Sequence, residues 1–238
     1  MQDTPIAMIT GASRGLGFAL ADALARRGWR LVIDGRDAAA LDTAAAQLRA
    51  AGAAEVAAVA GDVADATHRD ALVTVVAGRG PVTALVNNAS TLGATPLPRL
   101  RDYPLDALAD TFRVNTIAPL ALVQALLPHL RAEGAIVNIT SDAAVEGYEG
   151  WGGYGASKAA LEQLSRVLAA EEPAVRVYWV DPGDLRTQMH QDAFPGEDIS
   201  DRPLPGIAVP GLLALINGTR PSGRYRAQHV LDAEVVAS

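Results

Sequence analysis

Ile6-Ala7-Met8-Ile9-Thr10-Gly11-Ala12-Ser13-Arg14-Gly15-Leu16-Gly17 carries an apolar run into a glycine loop and then into a helix, and the architecture of the chain is decided there. Ile6 to Thr10 reads as a buried strand, while Leu16, Leu20, Ala23 and Leu24 recur at helical spacing up to Arg27. Between them Gly11, Gly15 and Gly17 leave the backbone uncovered. A strand–loop–helix of this kind presents free N–H groups and the positive end of a helix dipole to a phosphate.

The pattern repeats outward from that loop. Leu31 to Ile33 is a second strand ending at Asp34-Gly35-Arg36, and the helix holding Leu41, Ala45 and Leu48 stops at Gly52. Val56 to Ala60, Val82 to Val86, Ala135 to Thr140 and Val175 to Val180 are further strands. Helices over Asp65 to Gly78, Leu105 to Arg131 and Tyr154 to Ala170 separate them, with Gly134 closing the longest. Alternation of this kind predicts one doubly wound parallel sheet with helices on both faces, a Rossmann-like three-layer α/β/α domain spanning 1–238. Beyond Gly183 the periodicity fades. Prolines among acidic residues suggest a loop or lid over 184–210, followed by a short apolar helix at Leu212 to Ile216 and an edge strand at Arg224 to His229; the tail to Ser238 gives no signal.

Composition narrows the function. A net charge of −7 without a basic block argues against nucleic acid and anionic membranes as partners. Cysteine is absent and the four histidines are scattered, so no metal site is expected. No apolar run reaches the length of a membrane span, and the start lacks a signal-peptide pattern, so a cytoplasmic protein is expected.

Chemistry concentrates in Tyr154-Gly155-Ala156-Ser157-Lys158. Lys158 is the chain's one lysine against nineteen arginines, and it stands four residues after a tyrosine, on the same helix face. An ammonium there should lower the phenol pKa towards the range of a working acid/base. Because both residues begin a helix, they are expected off its core side. Ser141, at the end of a strand, reads either as a second hydrogen-bond donor for a developing oxyanion or as a strand-end hydroxyl serving its own backbone. Asn115 sits in a helix interior, where its amide competes with the backbone. Ala143, Glu146, Tyr148 and Trp151 lie between Ser141 and Tyr154, and Leu92, Met189 and Phe194 flank the site from other loops as further pocket candidates, although Trp151 and Phe194 serve equally well as packing.

The glycine loop, Asn87 to Ala89 after the fourth strand, Asn115, Ser141 thirteen residues before Tyr154, the Tyr154/Lys158 pair and Pro182-Gly183 after the sixth strand together resemble the short-chain dehydrogenase/reductase family, from residue 5 to about 190. The resemblance implies an oxidoreductase moving a hydride between NAD(P)(H) and the carbonyl or hydroxyl carbon of a small molecule. It implies Tyr154 as acid/base with Ser141, Lys158 and Asn115, the last anchoring a water that relays protons to Lys158. It implies cofactor contacts from Gly11, Ser13, Arg14, Gly15, Leu16, Gly17, Arg36, Asp62, Val63, Asn88, Ala89, Tyr154, Lys158, Pro182, Gly183 and Thr187. Ser90 departs from the family's usual glycine, a change that adds only a small hydroxyl, and the C-terminal part lacks the usual glycine-rich ending.

In NAD-preferring members an acidic residue ends the second strand. Gly35 fills that place here, with Arg36 after it and Arg14 nearby, so NADP(H) is expected over NAD(H). A register shift of one residue would instead make Asp34 the ribose ligand and favour NAD(H). A non-catalytic nucleotide sensor or scaffold on the same fold is the alternative, for which loss of Tyr154 or Lys158 is expected. Leu120, Leu122, Val123, Leu126, Leu127 and Leu130 go nearly round the long helix, which predicts a homodimer or homotetramer.

Overall fold

The computed structural model describes residues 4–232. Strands β1 (Ile6–Ile9), β2 (Arg30–Gly35) and β3 (Glu55–Ala60) alternate with helices α1 (Gly15–Ala25), α2 (Ala38–Ala51) and α3 (Ala66–Ala77). β4 (Val82–Asn87) leads through a long loop to α4 (Leu105–Phe112), a π-helical turn at Arg113–Ile117 and α5 (Ala118–Leu126). Then come β5 (Leu130–Ile139), α6 (Gly152–Glu171), β6 (Arg176–Asp181), α7 (Gln188–Ala193), α8 (Val209–Asn217) and β7 (Gly223–Arg226).

Among the described residues all seven strands are parallel, in the order β3-β2-β1-β4-β5-β6-β7. Period-two alternation sends successive apolar side chains to opposite faces. Ala7 and Ile9 of β1, with Leu31 and Ile33 of β2, pack under α1, α2 and α8, while Met8 and Val32 pack under α3, α5 and α6. Strands buried on both faces need near-continuous apolar sequence, which these have. The strand order reverses at β1, between β2 and β4, so a crevice opens beyond the carboxyl ends of β1 and β4, where such sheets hold their ligands.

Several expectations need correction. The helix expected over Leu105 to Arg131 is interrupted by one π turn at Arg113–Ile117, in which Asn115 is buried. It also ends early: Leu127–His129 is a 3-10 turn, and Gly134 lies inside β5 rather than after the helix. Glu133, at φ 60°, marks the irregular start of that strand, so the helical spacing of its first residues was misleading. The leucines thought to ring the helix are largely consumed by the chain itself, since Leu122, Val123 and Leu126 are buried against the sheet and Leu120, Leu127 and Leu130 are half-buried. At the C-terminal end the edge strand is Gly223–Arg226, followed by a short 3-10 turn, and the tail beyond 232 lies outside the described residues. The segment 184–210 is not wholly irregular, because Thr187 caps α7 by accepting from His190 N–H at 3.2 Å.

Candidate active site

The glycine loop and the end of β4 are tied together at the crevice. Asn88 Nδ2 donates to Thr10 O at 2.9 Å and to Gly11 O at 3.0 Å, while the Asn88 and Ala89 N–H groups both donate to Thr10 Oγ1 at 3.0 Å. Gly11 has φ +64°, and a Cβ there would stand 2.9 Å from Ala89 Cα, so no larger residue fits between the two loops. Asp34 completes the clamp from β2. Its Oδ1 accepts from Gly11 N–H at 2.6 Å and its Oδ2 pairs with buried His68 Nε2 at 3.2 Å. This carboxylate is therefore occupied in bracing the loop.

At the end of β2, Gly35 faces Ser13, whose Oγ would be 3.1 Å from an added Cβ. Arg14 and Arg36 are exposed, and among the described residues neither guanidinium has a hydrogen-bonding or ionic partner. Asp62 folds the turn after β3 by accepting from Ala64 N–H at 2.9 Å, and the carbonyl of Val63 accepts from Arg69 at 2.6 Å. These residues, together with Gly15, Leu16, Asn88, Ala89, Pro182, Gly183 and Thr187, line one continuous cavity of about 1360 Å³ that runs on to Ser141, Tyr154 and Lys158. Gly17 does not line it; a Cβ there would meet Asn88 Nδ2 and Gly11 O at 2.6 Å, so it serves loop packing. A dinucleotide fits this cradle on three counts: bare glycines at a helix start, a cavity larger than small-molecule pockets usually are, and two unpaired guanidiniums at its edge.

The reactive end is built by α6 against the turn after β5. Tyr154, Ser157, Lys158, Leu161, Glu162 and Ser165 recur on the buried face of α6, which contradicts the expectation that Tyr154 and Lys158 lie off the core side. Tyr154 is 8% exposed and Lys158 is 2% exposed. The helix can approach this closely because Gly155 has no side chain; a Cβ there would sit 2.5 Å from Ala143 O. Lys158 Nζ donates to Ile139 O at 2.8 Å, where β5 ends. Ser141 Oγ donates to Asp142 Oδ1 at 2.9 Å and accepts from Ala143 N–H at 3.2 Å, so it serves its local backbone while lining the same cavity as Tyr154.

Asn115 uses both ends of its amide. Nδ2 donates to Thr91 O at 2.8 Å and to Ser157 Oγ at 3.0 Å, and Oδ1 accepts from Thr91 N–H at 2.9 Å and from Ser90 Oγ at 3.1 Å. The side chain therefore clamps the loop after β4 to the first turns of α6, directly behind Tyr154.

The electrostatics differ from the sequence expectation. Burial pushes the Tyr154 phenol well above its usual range, with Asp181 and Asp142 adding to the rise. The Ser90 and Ser141 hydroxyls oppose it without offsetting it. Burial also pushes the Lys158 ammonium down to about 7 from 10.5. Desolvation thus outweighs the attraction of an ammonium for a phenolate, because the same burial penalises both charges.

Above Tyr154, the ring of Trp151 stands edge-on at 5.7 Å and is followed by Phe194 at 6.0 Å. Leu92, Ala143 and Ala193 are buried beside Tyr154, with Leu97, Met189 and the two rings packed on them. Of the remaining pocket candidates, Tyr148 is exposed and donates to Asp142 Oδ2 at 3.1 Å, and Glu146 is exposed on the same turn.

Several residues escaped sequence reasoning. Glu162 is buried one turn beyond Lys158 and accepts from Thr140 Oγ1 at 2.8 Å and from Arg224 Nε at 3.0 Å. Arg224, on β7, also donates to Ser141 O at 3.1 Å and so holds that strand end in place. The i, i+4 step from Lys158 to Glu162 was the available signal; nothing local announces Arg224, which lies 62 residues from its partner. Among the described residues no group of three or more potential ligands could hold a metal, and no helix is long and apolar enough to cross a membrane.

A family profile described as short chain dehydrogenase matches residues 5–198. Gluconate 5-dehydrogenase of Gluconobacter oxydans (strain 621H) is 33% identical over 82% of this chain and 77% of its own. A short chain dehydrogenase from Shigella flexneri 2a str. 301, solved with NADP, superposes with a TM-score of 0.88 at 29% identity over 94% of this chain and 97% of that one. An alcohol dehydrogenase from the archaeon Thermococcus sibiricus, solved with 5-hydroxy-NADP, gives a TM-score of 0.84 at 29% identity over 94% of this chain and 96% of that one.

Proposed function

The chain belongs to the short-chain dehydrogenase family, and from that premise we propose that it is an NADP(H)-dependent oxidoreductase acting on the carbonyl or hydroxyl carbon of a small, largely apolar organic molecule. The observation that carries the proposal is the convergence of Tyr154, Ser141 and Lys158 in one cavity with the glycine cradle. When bound there, the nicotinamide would supply or accept the hydride.

The protein's own groups do the rest. The Tyr154 phenol, buried and therefore held protonated, is the proton source for the oxygen of a reduced carbonyl, and Ser141 orients that oxygen. Lys158, docked on Ile139 O, carries a charge that is conditional near neutral pH, which suits a group that passes protons as well as attracting charge. Asn115 keeps the Ser90–Thr91 loop and α6 in register. Gly11, Ser13, Gly15, Leu16, Asn88, Ala89, Asp62, Val63, Pro182, Gly183 and Thr187 would hold the dinucleotide, with Arg14 and Arg36 meeting the 2′-phosphate. NADP(H) is supported by the absence of a carboxylate at Gly35, by the engagement of Asp34 with Gly11, and by neighbours solved with NADP-type ligands.

The apolar character of the substrate is read from Leu92, Ala143, Trp151, Met189, Phe194 and Ala193 around the phenol. The segment 184–210, which carries the last three, is the lid of this single domain. The test is a panel of aromatic and aliphatic carbonyls and alcohols, with both cofactors, read by nicotinamide absorbance. Tyr154→Phe should abolish turnover, whereas a protein that binds NADPH and turns over nothing in the panel would favour a nucleotide-sensing role.

A further inference from the structure

His68, Leu72 and Val76 form the buried face of α3, so an imidazole stands where the helical spacing calls for an aliphatic side chain. A buried polar ring costs stability unless it finds a partner. His68 finds one in Asp34 of β2, whose Oδ2 lies 3.2 Å from its Nε2. A carboxylate only accepts, so Nε2 carries the proton of that bond. The ring has little room to leave, because Gly61, just after β3, lies against it and any Cβ there would overlap His68 Nδ1.

The other oxygen of the same carboxylate accepts from Gly11 N–H at 2.6 Å, and the Asp34 carbonyl accepts from Ala12 N–H at 2.9 Å. One residue thus fixes the first two amides after Thr10. Asp34 is 1% exposed and still borders the large cavity, whereas His68 is no part of the cavity wall. Without His68, Oδ2 would be a buried charged oxygen lacking its partner, a state costly enough to turn the carboxylate towards the cavity. That turn gives up the Gly11 N–H bond and points a negative charge into the space where the glycine cradle must receive phosphates. Both consequences weaken a dinucleotide.

We infer that His68 is a positioning residue for the cofactor, holding the Asp34 carboxylate on Gly11 N–H and out of the space that the phosphates need. This rests on the glycine loop being the dinucleotide cradle. The contribution of His68 is one donated hydrogen bond, so what matters is a donor at the place of Nε2 and not the ring itself. Glutamine puts an amide nitrogen there. Asparagine, one methylene shorter, stops near the place of Nδ1, and leucine fills the volume with no donor at all.

The test measures NADPH dissociation constants by cofactor fluorescence, with thermal melts alongside. His68→Leu and His68→Asn should weaken NADPH binding by about tenfold, the loss of one charge-assisted hydrogen bond, and His68→Gln should stay within about threefold of wild type. With any panel carbonyl that is turned over, KM for NADPH should rise in the first two while kcat is retained, since Tyr154, Ser141 and Lys158 are untouched. Asp34→Ala strands no buried charge, so it reports even where a histidine variant does not fold, and it should show the same loss. Wild-type affinity in folded His68→Leu, His68→Asn or Asp34→Ala overturns the inference. So does a His68→Gln protein as weak as His68→Leu, which would make the histidine a packing residue. Wild-type protein that binds neither dinucleotide overturns this inference and the cofactor reading together. Binding of NADH alone overturns only the NADP(H) reading, and the same ratios are then read with NADH.

Discussion

Replacing Lys158 with methionine separates what the lysine costs the fold from what it gives the site. Burial lowers its pKa from 10.5 to about 7, and at about 1.36 kcal/mol per unit that gap is close to 5 kcal/mol. The sign follows from proton binding. Between these two values the unfolded chain holds the proton more tightly than the folded one, so wild-type stability rises with pH across the window and falls as pH drops through it. The folded group is half protonated near pH 7, which leaves about 4 kcal/mol of penalty in force there and about 2 kcal/mol near pH 9.

Methionine has similar length and no charge, and it forfeits the hydrogen bond to Ile139 O, worth about 1 kcal/mol. Lys158→Met should therefore be more stable than wild type by about 3 kcal/mol at pH 7 and about 1 kcal/mol at pH 9, with the gain gone above about pH 10. For a chain of 238 residues the neutral-pH gain corresponds to a rise in Tm of roughly 6–12 °C. Activity should be lost at every pH. Urea denaturation of the cofactor-free proteins, followed by circular dichroism at the three pH values, measures it. A stability difference that does not change with pH, or a methionine variant less stable than wild type at neutral pH, would refute the reasoning.

Arg36→Ala should raise KM for NADPH by about tenfold or more, as expected for one lost charge-assisted contact, and leave KM for NADH within about twofold; equal kcat/KM for the two cofactors in the wild type would remove the basis for an NADP(H) preference. A homodimer or homotetramer is expected from Leu105, Ile117 and Val167, which are 77%, 53% and 42% exposed on mutually packed elements, α4, the π turn and α6. Light scattering that reports a monomer at micromolar concentration contradicts it, and Ile117→Asp should dissociate the assembly if that face is the interface.

The central strands β1, β2, β4 and β6 were legible because they are buried on both faces and so read as nearly uninterrupted apolar runs. The site was legible where chemistry demands particular residues, as at Tyr154, Lys158, Ser141 and the glycine loop. What local spacing does not encode is how a residue's capacity is divided among distant partners. Asp34 was read only as a residue turned away from the ribose, and its attachment to Gly11 and His68 depends on a neighbour 34 residues away. Arg224 reaches Ser141 O only because β7 lies beside β6. Asn115 was found by type and place, but the partners it clamps, Thr91 and Ser157, lie 24 and 42 residues away.

The ionisation of Tyr154 is the sharpest instance. Spacing put an ammonium near a phenol and suggested a lowered pKa, whereas the fold buries both groups, holding the phenol protonated and discharging the lysine near neutrality. Two residues on one helix face fix proximity, and proximity alone would favour the ion pair. The rest of the fold decides how deeply each is buried, and here burial costs each charged form more than the neighbouring charge returns. A neutral phenol is the form that can give a proton to a reduced carbonyl, so burial here selects the reactive protonation state that the lysine alone would have removed.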